Sequence, residues 1–544
     1  MFVTTAINYT NGDPHIGHCY EAILADVIVR YRRLFSTVPV FFQTGTDEHG
    51  QKIAEKAVQQ NMTPIQLCDF YAKKFKVMDE QLHIGYDHFI RTTDDYHKKE
   101  VIRLFNILKN QGDIYLGSYV GWYNTREETF VTEHDAVLTK YMDPVSNLPL
   151  QKITEPSYFF RLKKYLPDVL DFLEQNPSFI VPHSHHKDIC VRLRQYIEKD
   201  SEDLSISRTK ISWGIPIPKE KEEQEQHCLY VWMDALLNYH TGPLHKLGIS
   251  PLNSSNNAAC SSGEGSSNGE GSSTGEGSSS SELSNGEMIH VIGKDILWFH
   301  AVIWLAFLRA LKFNFPKKIY VHDFIVDKAG QKMSKSIGNV VDPAYLLQKY
   351  GTNALRFYLI KETTLGMDMK FSEEALAQSL LSELGSKLGN VVNRVVSIAG
   401  KYVEGIIPAS TVGSDIVQPF EADSYYDKIF VALNEYRLSQ IVEYLQEMIH
   451  QTNQHLMKTE IWKIKDKERF KLVGVPLIRT YLEAILIIAQ AFEPVLPEIS
   501  DRIFAALNHT RCKFEKSKFW NQLLEGSKIQ TRLILFPPTT PNNP

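Results

Sequence analysis

The stretch from Phe2 to Tyr31, FVTTAINYTNGDPHIGHCYEAILADVIVRY, joins a strand pattern to a helix pattern. Residues 2–7 are apolar or β-branched, which predicts a buried strand. From Glu21 onward the apolar residues recur at helical spacing, so His15 and His18 are expected to open a helix. A helix N-terminus carries unpaired N–H groups and partial positive charge, and two imidazoles add donors there. The stretch therefore predicts a strand–helix unit that binds phosphate.

A second signature, Lys332-Met333-Ser334-Lys335-Ser336, stands more than three hundred residues later. Either signature alone is a short pattern that unrelated chains also carry. In this order and context, the two together predict a site that holds ATP and expels pyrophosphate. Charge that develops on the leaving group would be stabilised by His15, His18, Lys332 and Lys335, with no general base required.

Length and composition limit the class of protein. A chain of 544 residues is too long for one core and predicts several domains. The net charge of -5 provides no global basic field, so any nucleic acid must be bound by local patches. We see neither an apolar run of membrane-spanning length nor a leader segment, and expect no membrane partner. The cysteines are scattered without CxxC pairs, which favours a reducing compartment.

The order of predicted elements indicates an α/β part followed by an all-helical part. Strand-like runs alternate with amphipathic helices in the first part, as in a parallel sheet whose ligand lies at the carboxyl ends of the strands. We predict these domains: 1–110, first half of the nucleotide-binding fold; 111–210, an inserted domain; 211–252 and 287–325, the second half; 326–368, the loop of the second signature and its connection; 369–544, a helical bundle.

Residues 253–286 are a low-complexity segment of Ser, Gly, Asn and Glu that cannot bury a core. A disordered surface loop is favoured over an acidic interaction tag. Within the bundle, the periodicity predicts helices over residues 373–398, 425–456, 468–492 and 499–507.

Five spaced segments resemble those of the methionyl-tRNA synthetases, a family of class I aminoacyl-tRNA synthetases, in their short bacterial and mitochondrial type. They are Thr5–Tyr9, Gly45–Gly50, Tyr230–Leu236, Gly293–Ile296 and Gly330–Ser336. The resemblance implies an α/β, Rossmann-like nucleotide-binding fold with an inserted connective domain and a C-terminal all-α anticodon-binding bundle. It also implies a ligase that activates methionine with ATP to methionyl-adenylate and then charges the 3′ end of tRNA(Met).

The resemblance assigns substrate-binding residues as well. Asp47 would pair with the substrate ammonium, and Glu21 and Asp295 would face the ribose. The full ATP set is His15, His18, Glu21, Gly293, Asp295, Lys332, Ser334 and Lys335. The methionine set is Ile7, Tyr9, Asp47, Trp232, Ala235, Leu236, Tyr239, Ile296 and His300, whose aromatic and aliphatic members suit a polarisable thioether. The competing interpretation of those members is ordinary core packing.

Anticodon recognition is expected in the bundle, because loop bases are recognised by stacking and by hydrogen bonds to their edges. The resemblance places this role on Asn453 and Trp462. Two further family positions fall on Ser397 and Lys401, where asparagine and arginine are more usual. The basic run from Lys463 to Lys471 could contact phosphates, although a solvated helix face is the commoner explanation.

Magnesium is expected to accompany ATP, held mainly by its phosphates. No structural zinc is expected, since Asn124 and Glu127 stand where many relatives carry thiolates. The histidines at 183, 185 and 186 are expected to be surface residues rather than metal ligands.

Three alternatives remain open: another class I synthetase, a small nucleotidylyltransferase that shares the first signature, and a catalytically inactive tRNA-binding relative. Among class I synthetases, the enzymes for isoleucine, valine and leucine carry a much larger inserted domain, and the enzyme for cysteine binds zinc through thiolates. The length and the cysteine usage of this chain therefore count against these synthetases. We expect a monomer, and a location in the mitochondrial matrix, with the cytoplasm as the alternative; no basic amphipathic presequence is visible.

Overall fold

The computed structural model describes residues 1–124, 129–131, 133–143, 148–199, 202–219, 225–252, 287–333, 338–410, 416–512 and 514–536. The low-complexity segment 253–286, Glu127, Ser334 and Lys335 lie outside the described residues. The chain forms two compact units. The first spans Met1–Pro14, Pro39–Val77 and Tyr86–His322; the second spans His15–Val38, Met78–Gly85 and Asp323–Pro544.

A parallel sheet lies at the centre of the first unit. The strands of this unit are β1 (Phe2–Thr5), β2 (Asn8–Tyr9), β3 (Phe41–Asp47), β4 (His88–Arg91), β5 (Ile114–Asn124), β6 (Thr129–Val131), β7 (Gln151–Phe160), β8 (Ile180–Val181), β9 (Leu204–Ser205), β10 (Ser207–Arg208), β11 (Cys228–Leu229), β12 (Met288–Gly293) and β13 (Lys318–His322). The parallel sheet has the order β2-β3-β1-β12-β13-β8, with β4 also paired to β3. Its strands β1 and β12 are buried at every residue, as expected when both faces of a parallel sheet are covered.

Helices alternate with these strands along the first part of the chain. They are α1 (Ile16–Phe35), α2 (Gln51–Gln59), α3 (Pro64–Gln81), α4 (Asp95–Asn110), α5 (Glu133–Leu138), α6 (Leu162–Gln175), α7 (His183–Glu198), α8 (Val231–Leu236), α9 (Asn238–Leu247) and α10 (Trp304–Ala310). A 3₁₀ turn, Lys294–Ile296, and a π-helical segment, Phe299–Ile303, lie between β12 and α10. The predicted α/β class is confirmed.

The expected inserted domain, 111–210, is only partly a separate sheet. Strands β5, β6, β7 and β9 form an antiparallel sheet of their own, whereas β8 pairs in parallel with β13 of the main sheet. The reason is packing, since Leu166, Leu173 and Ile189 from α6 and α7 are buried in the same apolar cluster as the main sheet.

The expectation of a surface position is wrong for one histidine of α7. His186 is only 5% exposed, and its Nε2 lies 2.8 Å from the carbonyl oxygen of Leu173. His183 is exposed, as expected, and His185 is partly buried. No group of three or more His, Cys, Asp or Glu side chains with metal-binding geometry occurs within the described ranges.

The second unit is mainly helical. Besides α1 it holds β14 (Ile325–Val326), α11 (Pro343–Tyr350), α12 (Thr352–Lys361), β15 (Met369–Lys370), α13 (Glu373–Gln378), α14 (Asn390–Val403), α15 (Ala422–Asn434), α16 (Leu438–Thr459), α17 (Lys467–Arg469), α18 (Val475–Phe492) and α19 (Pro497–Ala506). A π-helical segment, Ser379–Gly389, joins α13 to α14 and another, Phe470–Gly474, joins α17 to α18. The prediction of helical structure over residues 373–398 and 468–492 is thus confirmed.

The prediction of one helix over residues 425–456 is wrong. The chain breaks between α15 and α16, where Tyr436 takes a left-handed backbone conformation with φ of 59° and is buried. Turning the chain there lets both helices pack against each other through their apolar faces. The continuous helical stretch Lys467–Phe492 is long and apolar enough to cross a membrane, but 78% of its apolar window is buried, as in a core helix of a bundle.

Candidate active site and anticodon region

The first signature forms the N-terminal cap of α1, as predicted. His15 is the N-cap residue, and its Nδ1 accepts a hydrogen bond from the Gly17 backbone N–H at 3.1 Å. The Nδ1 of His18 accepts from the His15 backbone N–H, also at 3.1 Å, which completes a reciprocal capping box. The two rings stack with centroids 3.7 Å apart.

This cap determines where each ring carries its proton. Because Nδ1 of both His15 and His18 accepts a backbone hydrogen bond, a neutral ring must hold its proton on Nε2. Gly17 permits the arrangement, since a Cβ there would lie 3.0 Å from the His15 ring. The helix start therefore presents two Nε2–H donors together with the positive end of the helix dipole, a combination suited to phosphate oxygens. Glu21 follows one turn later and is half-buried.

The second signature begins at the end of a tight turn that Asp327 organises. The Asp327 carboxylate accepts backbone hydrogen bonds from Ala329 at 3.0 Å and Gln331 at 2.8 Å, and its other oxygen accepts from the Asn339 amide at 2.9 Å. These bonds, that of Asn339 first, lower the pKa of the carboxyl group. Lys332, which follows the turn, forms a β-bridge with Val326. Asp327 thus joins the chain on either side of Ser334 and Lys335.

In the first unit, the predicted ammonium ligand lies at the carboxyl end of β3. The short strand β2 pairs with this end, and its register places Tyr9 opposite Asp47. The Asp47 carbonyl accepts a hydrogen bond from the Thr10 backbone N–H at 3.1 Å. Ile7 lies between β1 and β2, so three predicted methionine-site residues share one edge of the parallel sheet.

The predicted aromatic residues form two sets of contacts near β12. Trp232 of α8 stacks on Phe299 with ring centroids 3.5 Å apart. The Tyr239 hydroxyl lies 2.7 Å from Nε2 of His300, and Nδ1 of His300 lies 3.0 Å from the Ile296 carbonyl oxygen. Since that carbonyl can only accept, His300 carries its proton on Nδ1 and accepts the tyrosine O–H at Nε2.

Burial keeps the His300 ring neutral. It lowers the pKa of His300 to about 4, so the ring is uncharged at neutral pH. His300 lies in the π-helical segment, a geometry often found at functional sites. Three further residues of the predicted methionine set also lie in apolar surroundings. Leu236 and Ala235 of α8 are buried, and Ile296 packs against the apolar core of the main sheet, to which Leu236 belongs. Core packing therefore accounts for part of this set, as the competing interpretation stated.

Of the two predicted ribose-facing residues, Asp295 lies in the 3₁₀ turn that follows β12, whereas Glu21 lies on α1. A Cβ at Gly293 would lie 2.7 Å from Oδ1 of Asp295, so a larger residue there would require that carboxylate to move. Asp295 itself is exposed at the carboxyl edge of the sheet. Ligands of open parallel sheets bind at this edge.

In the helical bundle, a cavity of about 500 Å³ lies beside the predicted anticodon residue Asn453 of α16. The Oδ1 of Asn453 accepts a hydrogen bond from Arg394 Nη1 at 3.0 Å, and Asn390, one turn before Arg394, lines the cavity. Trp462 lies in a 3₁₀ turn beyond α16 and is 36% exposed, while its neighbour Ile461 is fully buried.

Sequence reasoning missed Asp327, Asn390 and Arg394. The resemblance placed an asparagine–arginine pair at Ser397 and Lys401, both of which are exposed on α14. An asparagine and an arginine with the same four-residue spacing stand one heptad earlier, and that spacing was the available signal.

Comparisons with known proteins identify the family to which this chain is similar. A family model described as tRNA synthetases class I (M) matches residues 1–142, 139–246 and 276–396. A methionine–tRNA ligase of Halalkalibacterium halodurans is 34% identical over 99% of this chain and 78% of its own length, and one of Thermotoga maritima is 33% identical over 97% and 78%. These relatives are bacterial, which lends no support to the predicted mitochondrial location.

Among solved structures, Mycobacterium tuberculosis methionyl-tRNA synthetase in complex with methionyl-adenylate is similar, with a TM-score of 0.83 at 30% identity, over 98% of this chain and 99% of that one. The same enzyme without ligand gives a TM-score of 0.78 at 27% identity. The family model, the full-length relatives and the shared fold lead to one conclusion: the chain belongs to the methionyl-tRNA synthetases of class I.

Proposed function

We propose that this protein is an ATP-dependent ligase that activates methionine to methionyl-adenylate, releasing pyrophosphate, and then transfers methionine to the 3′ end of tRNA(Met). The observation that carries the proposal is the capping box of α1, in which His15 and His18 both present Nε2–H donors at a helix N-terminus. Membership of the methionyl-tRNA synthetases supports it.

In the first step, a carboxylate oxygen of methionine attacks the α-phosphorus of ATP and the bond to pyrophosphate breaks. Negative charge moves onto the leaving group, where His15, His18, Lys332 and Lys335 would stabilise it. Glu21, Gly293, Asp295 and Ser334 complete the proposed ATP site. In the second step, the 2′-hydroxyl of the terminal adenosine attacks the methionyl carbonyl and AMP leaves.

Methionine would be chosen by one charge and an apolar wall. Asp47 is half-buried and would pair with the ammonium group, since opposite charges attract more strongly when they are partly shielded from water. The Tyr239 hydroxyl is committed to His300, so this part of the wall offers ring carbons to the thioether rather than a charged donor. The other proposed methionine contacts are Ile7, Tyr9, Trp232, Ala235, Leu236 and Ile296.

The bundle would recognise the anticodon of tRNA(Met). Trp462 is exposed enough to stack on a base, and Asn453 borders the cavity together with Asn390. Arg394 orients the Asn453 amide by donating to its oxygen, which leaves the amide N–H groups directed elsewhere. Asn390 and Arg394 are better supported for this role than Ser397 and Lys401, because only the former pair lies beside Asn453.

Magnesium would enter with ATP, held by phosphates and water, and no zinc is expected.

We also propose a monomer that acts in the mitochondrial matrix, with the cytoplasm as the alternative. The residues Asn124 and Glu127 at the usual thiolate positions support the mitochondrial type. Fractionation of cells that express a tagged full-length chain tests the compartment.

The decisive experiment is amino-acid-dependent exchange of pyrophosphate into ATP, measured across all twenty amino acids, followed by charging of tRNA(Met). Methionine alone should support fast exchange. Exchange with another amino acid would identify a different class I synthetase, and tRNA binding without any exchange would identify an inactive relative.

A further inference from the structure

A fully buried carboxylate on α8 bridges two histidines from distant parts of the chain. Asp234 is 1% exposed; its Oδ2 lies 2.5 Å from Nδ1 of His49, and its Oδ1 lies 2.7 Å from Nε2 of His97. Both histidines are buried as well. The second ring nitrogen of His97 lies 2.6 Å from the Thr241 hydroxyl of α9.

Hydrogen-bond chemistry sets the direction of each contact. An ionised carboxylate only accepts, so Nδ1 of His49 and Nε2 of His97 both donate to Asp234. A ring of His97 that donates from Nε2 and carries no second proton can accept from the Thr241 hydroxyl at Nδ1. The two histidine contacts outweigh burial and lower the pKa of Asp234, which keeps the carboxylate charged.

The three residues connect segments that carry the proposed methionine ligands. His49 is two residues beyond Asp47, and Asp234 stands between Trp232 and Ala235 on α8. The backbone around His49 is held on its other side, because the Trp213 indole N–H donates to the Glu48 carbonyl at 2.5 Å and the Gly50 N–H donates to the Trp213 carbonyl at 3.0 Å.

Glu48 reinforces the same segment. Its carboxylate is fully buried and accepts from Thr46 Oγ1 at 2.6 Å and from Arg91 Nε at 2.7 Å. Side chains from three other places in the first unit, those of Trp213, Arg91 and Asp234, therefore hold the segment after β3. Of these three residues, Asp234 lies on the helix that carries Trp232.

We infer that Asp234 is a positioning residue for the amino acid substrate: through His49 and His97 it sets the position of the Trp232 wall relative to the Asp47 carboxylate. This inference rests on the proposed function, because Asp47 and Trp232 are proposed methionine contacts. A buried charge with two directional partners defines one register, whereas an apolar contact would allow α8 to shift along the sheet edge.

The variant Asp234→Asn tests this inference, since it keeps the shape and removes the charge. Asn can accept from one histidine only, so α8 should lose its fixed register. We expect kcat/KM for methionine in pyrophosphate exchange to fall about ten- to a hundred-fold, as for other small misplacements of a substrate-binding group. This fall in kcat/KM should come mainly from a higher KM for methionine, while KM for ATP stays within about twofold of the wild-type value.

A matched control is Asp168→Asn on α6, where the carboxylate is 62% exposed and lies 3.8 Å from Arg309. It should leave both KM values unchanged. The double variant Asp234→Asn/His49→Gln should lose little more than Asp234→Asn alone, because both changes remove the same contact.

A purely structural role would lower the melting temperature and the concentration of active sites while both KM values stayed unchanged; that result, or fully additive losses, overturns the inference. If Asp234→Asn does not fold, Thr241→Val decides, since it removes only the hydroxyl that orients His97: a selective rise in KM for methionine supports the inference and an unchanged KM overturns it. A wild-type protein that shows no methionine-dependent exchange would instead contradict the proposed function.

Discussion

The guanidinium of Arg356 donates a hydrogen bond from Nη2 to the Asp26 carboxylate at 2.7 Å, and both side chains are completely buried. The two residues are 330 positions apart, on α12 and α1. Arg356 also donates to the backbone carbonyls of Leu82, Pro494 and Val495, at 2.8 to 3.0 Å. This pair ties the helix that begins at His15 to the body of the second unit.

We expect Arg356→Leu to destabilise the second unit by about 3–5 kcal/mol, because it removes one partner of a buried ion pair and leaves three carbonyls without their donor. Urea denaturation followed by circular dichroism measures the loss. The control is Arg309→Leu, where the arginine is 46% exposed and should contribute little. Equal midpoints for the two variants would contradict the structural role of Arg356.

A second prediction concerns pH. Asp79 is 2% exposed, its Oδ2 has no hydrogen-bond partner among the described residues, and burial, with a further contribution from Asp26, raises its pKa to about 8. Between the unfolded pKa near 4 and about 8, the folded state binds the extra proton, so this group makes stability fall as pH rises.

Asp79→Asn should therefore stabilise the protein more at pH 8 than at pH 5, where the wild-type carboxyl is already protonated in the folded state. Unfolding free energies of wild type and variant at both pH values provide the test. The control Asp171→Asn, on the exposed face of α6, should show no such difference. An equal gain at both pH values would exclude a raised pKa as the cause.

The variant Tyr239→Phe removes the hydroxyl that donates a hydrogen bond to His300 and keeps the aromatic ring at position 239. The loss of one buried hydrogen bond should raise KM for methionine by about two- to tenfold, with KM for ATP unchanged. Tyr115→Phe, which removes a hydroxyl bonded to Asp203 in the antiparallel sheet, serves as control. An unaltered KM for methionine would place Tyr239 in the core alone.

Lys335→Ala should slow adenylate formation by about a hundred- to a thousandfold, since its contact with the leaving group forms mainly in the transition state. The dissociation constant of methionine should barely change. Single-turnover kinetics and equilibrium binding separate the two effects. The control is Lys328→Ala, which removes a lysine that lies on the turn before the second signature and forms an ion pair with Glu374. A parallel loss of binding and rate would contradict the assignment.

Trp462→Ala should weaken charging of tRNA and spare pyrophosphate exchange. Loss of one stacking platform costs about 1–3 kcal/mol, roughly ten- to a hundredfold in charging efficiency. Leu472→Ala, at a side chain that is 74% exposed in the same region, is the control. A lower melting temperature, with charging reduced only in proportion to unfolded protein, would show that Trp462 is structural.

Local pattern was enough for several parts of this fold. The apolar run at Phe2, the helical spacing after Glu21 and the position of His15 predict a strand followed by a capped helix, and the structure has β1 and α1 there. Such features depend on residues within a few positions of one another. The resemblance supplied the candidate site, but as separate segments without the contacts between them.

Other parts depend on residues far apart in the chain. The break at Tyr436 separates two helices whose apolar periodicity is nearly continuous, and β8 joins the main sheet only because α6 and α7 pack on the same core. Local pattern also could not predict the hydrogen bond between Asn339 and Asp327 or the one between Arg394 and Asn453, because these partners are 12 and 59 residues apart in the chain.

The sequence by itself determined the element types, the helix start at His15 and the residue types available for ATP chemistry, because these follow from local periodicity and short motifs. Only the tertiary structure decided that the Tyr239 hydroxyl meets His300 and that Asp234 meets His49 and His97. The physical reason is that these hydrogen bonds need atoms within about 3 Å of each other in space, and the positions of the residues along the chain do not specify that distance.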